Sequence, residues 1–294
     1  MAGEVNTEVV VGPRSGLVRD ELADAPDWSA YAAELRSVLE TVVEKSAVDL
    51  LEVGELLVNQ PLPDRYSGLR NGVRVPPAEA LDLVRRMVAG DGPYCRLSAP
   101  GRLHIQSGWD GAVHLWVTPE TGAALAGYLG AEVSLEFRST FPESADVPDP
   151  VEAVADEGFW DAVRKVSDGT TLLCERWAHG SYGSRWFRVT RENAAEVARL
   201  VSPRSLLCVV AEPDLRATTE VPDDAEVLDD GFTAFVSPLL PGALAHREYP
   251  GGADSLSDVV GAGFDLLLTD GAMGRWCAVV PDPDGVNRAQ WESP

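Results

Sequence analysis

Two of the four histidines, His104 and His114, flank the segment Ser107-Gly108-Trp109-Asp110-Gly111. Leu103, Ile105, Val113 and Leu115 alternate with polar neighbours, which is the period of a strand. A hairpin symmetric about Trp109 would set Leu103 against Leu115, His104 against His114 and Ile105 against Val113. Directly opposed side chains in such a pair lie roughly 5 Å apart. Two imidazoles at that spacing can share a proton or begin a metal site, which needs at least one further ligand. Gln106 and Trp116 fall on the same face, but local spacing supplies no additional ligand. A half-exposed polar strand face is the simpler expectation, with His104, His114 and Trp116 as the alternative metal or small-ligand site.

Other constellations are thinner. His179 follows Cys174 by five positions, an odd spacing that turns the two to opposite sides of a strand, so no cysteine–histidine nucleophile is expected. His246 carries no signal. Cys95, Cys174, Cys208 and Cys277 each stand alone in apolar runs, the setting of buried thiols rather than a metal framework. Asp223, Asp224, Asp229 and Asp230 lack the alternating spacing of a calcium loop. No G-x-S-x-G elbow, phosphate-binding P-loop, H-E-x-x-H pair or dinucleotide fingerprint is present, and no cofactor is expected.

Charge is the strongest compositional signal: 47 acidic against 24 basic residues, a net charge of −23 over 294 residues. Such a field repels phosphate backbones, excluding direct nucleic-acid binding, and speeds encounter with a basic protein. Trp109, Tyr182 and Trp291 sit at turn or tail positions where aromatic side chains anchor contacts. The expected partner surface comprises Trp109, Tyr182, Asp223, Asp224, Asp229 and Asp230. The leading expectation is therefore a non-enzymatic acidic binding protein that captures or neutralises a basic protein partner, in the manner of an immunity protein or antitoxin. The alternatives are an enzyme or small-ligand protein at the histidine face, and a self-associating structural or regulatory module. No run reaches the roughly 18 apolar residues of a membrane span. The segment Met1–Gly16 lacks a basic region followed by an apolar run, so a cytoplasmic location is expected.

The elements that must position these residues are legible from periodicity and caps. Trp28, Tyr31, Leu35, Val38, Leu39, Val42 and Val43 recur at helical steps, and the pattern is expected to run on through Leu50, Leu51, Leu57 and Val58. Pro77 opens a second helix that stops at Gly90. Strands at 94–97, 103–106 and 113–117 precede a helix capped by Thr118 with Pro119 first, ended by Gly130, and followed by a strand at 133–137. The same succession recurs 72 residues later, with Thr190 as cap, and again near Ala245, before a closing hairpin at 266–280 and a frayed polar tail.

The expected fold is α+β, mostly antiparallel sheet with packed helices, in two related lobes built from repeated strand–strand–helix–strand modules. The expected organisation is an N-terminal arm (1–26), a first lobe (27–140), an acidic linker (141–157) and a second lobe (158–294).

Overall fold

The computed structural model describes residues 7–14, 28–108, 111–138, 150–218, 231–249, 259, 263–268, 276–289 and 291–292. The chain divides into two compact units, Met1–Ala145 and Asp146–Pro294. The class is α+β with antiparallel sheets. Among the described residues no helix is long and apolar enough to cross a membrane.

The first unit holds a seven-stranded sheet of β1 (Thr7–Pro13), β2 (Leu51–Leu57), β3 (Arg74–Val75), β4 (Tyr94–Ala99), β5 (Leu103–Ser107), β6 (Val113–Val117) and β7 (Val133–Arg138). Their spatial order is β3-β2-β4-β5-β6-β1-β7. Every neighbouring pair is antiparallel. One face is packed by α1 (Trp28–Lys45), α2 (Pro77–Ala89) and α3 (Pro119–Leu125).

Sequence explains each helix. The α1 stripe of Tyr31, Leu35, Val38, Leu39, Val42 and Val43 is buried, as its spacing requires. Pro77 opens α2, and Gly90 closes it at φ 82°, a left-handed conformation that glycine adopts without a Cβ penalty. The Thr118 hydroxyl accepts from the Thr121 amide at 3.4 Å to cap α3. Gly122 lets α3 approach β1 closely, because a Cβ there would lie 2.9 Å from the Thr7 methyl.

Two expectations are corrected in this unit. Leu50–Val58 does not continue α1: residues 51–57 are β2. Its register against β4 shifts between Gly54 and Leu57, and Glu55 takes φ 50°. That bulge changes which side faces inward, so Leu51 and Val53 are buried before it and Leu56 and Val58 after it. The helix α3 ends at Leu125, well before Gly130, and leaves Leu129 95% exposed. Within the N-terminal arm the Val9–Val11 run lies in β1, hydrogen-bonded to strands on both sides.

The second unit has two sheets. The strands β8 (Thr171–Arg176), β9 (Ser184–Val189), β10 (Leu206–Ala211), β13 (Gly242–Leu244) and β16 (Trp276–Val279) take the order β13-β9-β8-β10-β16. A four-stranded sheet, β11-β15-β12-β14, is built from β11 (Leu215–Ala217), β12 (Phe232–Val236), β14 (His246–Tyr249) and β15 (Phe264–Leu268). The helices are α4 (Glu157–Val166), capped by Asp156 accepting from the Phe159 amide at 2.9 Å, and α5 (Ala194–Leu200). Thr190 and Asn193 exchange side-chain-to-amide hydrogen bonds of 2.7 and 3.3 Å at the entry to α5.

The five-stranded sheet is covered on both faces. Leu173, Phe187, Leu207 and Val209 join Phe159, Trp160 and Val163 of α4 in one core layer. Leu172, Trp186, Leu206 and Val210 meet Phe235 and Leu267 of the smaller sheet in the other. The rings of Trp186 and Phe235 cross at 78° with centroids 5.3 Å apart.

The expected hairpin at 266–280 is not formed. The strand β15 pairs with β11 and β12, whereas β16 pairs with β10. Fully buried Ala278 and Val279 require cover on both faces, which the larger sheet supplies. Nor is the tail frayed at Trp291, which is 4% exposed and donates its indole N–H to the Arg204 carbonyl at 2.9 Å.

The two related lobes are not established by the strand orders. In both units the third strand of the succession returns parallel to the second, with one strand between them. In the first unit that intervening strand is β1, from the N-terminal end of the chain; in the second it is β8, the hairpin partner of β9. The helix expected between β14 and β15 lies outside the described residues.

Candidate functional site

The face of the seven-stranded sheet opposite α1, α2 and α3 gathers polar side chains. Because side chains alternate along each strand, the residues opposite the helix-packed Val9, Leu97, Ile105 and Leu115 rows share this face. One continuous row crosses all seven strands: Arg74, Glu52, Ser98, His104, Trp116, Glu8 and Arg138. The adjacent row includes Gln106, His114, Val10 and Glu136.

The hairpin register differs from the symmetric one expected. His104 stands opposite Trp116, and Gln106 opposite His114, a shift of two residues that keeps both histidines on one face but sets them diagonally. The wider connection between Ser107 and Val113 produces the shift. Each imidazole then turns to a different neighbour. His104 Nδ1 lies 2.9 Å from the Ser98 hydroxyl on β4, while His114 Nδ1 lies 2.8 Å from a Glu8 carboxylate oxygen on β1. The shared-proton or two-histidine metal arrangement is thus replaced by two separate pairs. Among the described residues no group of three or more histidine, cysteine, aspartate or glutamate side chains could hold a metal ion.

Electrostatics separate the two pairs further. Burial, with Arg96 nearby, holds His104 below the ordinary imidazole range, so it favours the neutral form. His114 is flanked by the carboxylate of Glu8, only 7% exposed, and stacks on Trp116 with centroids 5.9 Å apart and planes 21° from parallel. The Trp116 indole nitrogen is buried and has no hydrogen-bond acceptor among the described residues. A carboxylate that orients one imidazole nitrogen leaves the other available to exchange a proton.

Two hollows adjoin this face among the described residues. A hollow of about 140 Å³ is lined by Glu55, Leu57, Tyr94, Arg96, Gln106 and Gly108, and another of about 250 Å³ adjoins Glu52, Arg74 and Ser98. Both fall below the roughly 300 Å³ at which pockets for drug-sized ligands begin.

The remaining candidates scatter. Tyr182 is half-exposed in the turn between β8 and β9. Trp291 is buried and is no contact anchor. His179 packs its ring against Trp291 at 4.7 Å, away from any thiol partnership with Cys174. Trp109, Asp223, Asp224, Asp229 and Asp230 lie outside the described residues.

Sequence reasoning missed Glu8, Ser98, Arg74 and Arg138. The strands next to Ser98 and Arg138 were expected from alternation, those of Glu8 and Arg74 were not, and only strand order places β1 beside β6 and so Glu8 beside His114. Comparison with family models, with curated proteins and with solved structures finds no significant match for this chain.

Proposed function

We propose that this protein is a non-enzymatic acidic binder that captures a basic cytoplasmic polypeptide, as an immunity protein or antitoxin does. The observation that carries the reading is the use made of the arginines. Arg36, Arg96, Arg185, Arg204 and Arg288 are each held by an acidic side chain of the same unit. With cations occupied in this way and 47 acids against 24 bases, the surplus negative charge is left for a partner.

The test is a pull-down from native lysate at low salt, followed by association kinetics with the polypeptide recovered. The expected result is a basic polypeptide whose association slows at least about tenfold as ionic strength rises. Exchanging Asp223, Asp224, Asp229 and Asp230 for asparagine should slow association in the same direction. Recovery of no basic polypeptide, or a rate indifferent to salt, overturns the proposal.

A second reading rests on the orphaned indole N–H of Trp116 beside the Glu8–His114 pair. A small ligand bearing an acceptor would satisfy that donor and meet the imidazole. Trp116→Phe should abolish the binding of such a ligand while leaving the fold intact, with fluorescence titration as the readout. We also propose that the strand–strand–helix–strand succession is a reused building unit. The β9-β8-β10 and β14-β12-β15 orders support that reading inside the second unit.

A further inference from the structure

Three thiols stand in one transverse row of the five-stranded sheet. Cys208 of β10 lies directly opposite Cys277 of β16 on one side and Cys174 of β8 on the other. Directly opposed residues of antiparallel strands have Cα atoms about 4.5–5.5 Å apart and share a face. A disulfide accepts Cα separations of about 4.4–6.8 Å. The Cys208 and Cys277 thiols are already in hydrogen-bond contact.

We propose that Cys208 and Cys277 form a reversible cross-strand disulfide that fastens the edge strand β16 to β10. The co-reactant is a low-molecular-weight disulfide. The Cys277 thiolate attacks one of its sulfurs, forming a mixed disulfide and releasing one small thiolate. Cys208 then loses its proton and attacks Cys277 Sγ, closing the protein disulfide and releasing the second small thiolate. Two protein thiols are oxidised, one small disulfide is reduced to two thiols, and the two protons end on those thiols.

Accessibility assigns the order of attack. Cys277 is partly exposed, whereas Cys174 and Cys208 are 6% and 5% exposed. Donation from the Cys208 S–H holds Cys277 below the ordinary cysteine range, against the opposing effect of burial and with help from Arg176. The same contact, together with burial, pushes Cys208 up. Cys95 has no such neighbour; burial pushes its thiol up to about 12 and leaves it inert.

The experiment treats the full-length protein with oxidised glutathione, counts thiols by maleimide gel shift under denaturing conditions, and maps peptides without reduction. The four thiols of the reduced chain should fall to two, with one cross-link between the Cys208 and Cys277 peptides that a reductant reverses. Cys174→Ala should keep the cross-link, and Cys208→Ala should stop at a glutathione adduct on Cys277. A wild-type adduct on Cys277 that never closes, a Cys174–Cys208 cross-link, or no modification overturns the proposal. The wild-type map decides even if Cys208→Ala fails to fold.

Discussion

The central strands of the two units differ in how they spend their side chains. In β5 and β6, Leu103, Ile105, Val113, Leu115 and Val117 are wholly buried, whereas His104, Gln106 and His114 keep some exposure. In β8 and β10, five consecutive residues are buried in each, Thr171–Glu175 and Leu206–Val210. Helices cover one face of the first sheet, whereas helices and a second sheet cover the two faces of the other. A strand covered on one face can keep an ionisable row, but one covered on both must be apolar or pair its polar groups internally. Glu175 shows the second case. Fully buried, its carboxylate accepts from the Ser202 amide at 2.6 Å, the Ser205 hydroxyl at 3.0 Å and the Arg185 guanidinium.

The contrast breaks most decisively at adjacent positions of β9. Phe187→Ala and Trp186→Ala remove side chains from opposite core layers, so each should cost about 3–5 kcal/mol, read from denaturant midpoints. If either variant stays within about 1 kcal/mol of the parent, the two-sided cover is wrong. Next comes Glu175→Ala, which removes the carboxylate from Arg185 and leaves the buried Ser205 hydroxyl and the half-buried Ser202 amide without that acceptor; a loss of about 3 kcal/mol is expected. A near-neutral outcome would mean that water reaches the carboxylate site.

The same adjacent-position test should give the opposite answer in the first unit. Leu115→Ala should cost about 3 kcal/mol, whereas His114→Ala should cost about 1.5 kcal/mol, the loss of one hydrogen bond to a charged group. Equal costs would erase the difference between the faces.

The smallest effect is in pH dependence. His104 in the folded chain titrates below its ordinary value of 6.5, so the unfolded chain binds more protons just under that pH. Stability from this residue is therefore complete above pH 6.5 and declines as pH falls from there toward the folded value. His104→Gln should flatten that part of a melting-temperature profile, and an unchanged slope would assign it elsewhere; His246, shifted the same way by burial, is the comparison variant.

How much was legible follows from these residues. The stripe of α1, the Thr118 cap and the Gly90 stop are local, set within one or two turns, and they were readable from spacing and residue type. The bulge at Glu55 was not, because it interrupts the alternation by which a strand is recognised. Of the candidate site, the common face of His104, His114 and Trp116 was legible, since parity survives a register shift of two. The partners Ser98 and Glu8 were not, since β1 reaches β6 across a sequence separation of 106 between Glu8 and His114.

The amino-acid sequence by itself determined the α+β class, the acidic surplus, the capped helices and the sides of β5 and β6 that meet a core. Those properties depend on composition and on periods of two and 3.6 residues, which contain no long-range information. Tertiary structure alone decided that β1 enters the middle of a sheet, that β16 leaves β15 for β10, and that three cysteines far apart in sequence meet in one row. Strand order is chosen by which apolar faces can be covered together, a competition among distant segments that no local pattern records.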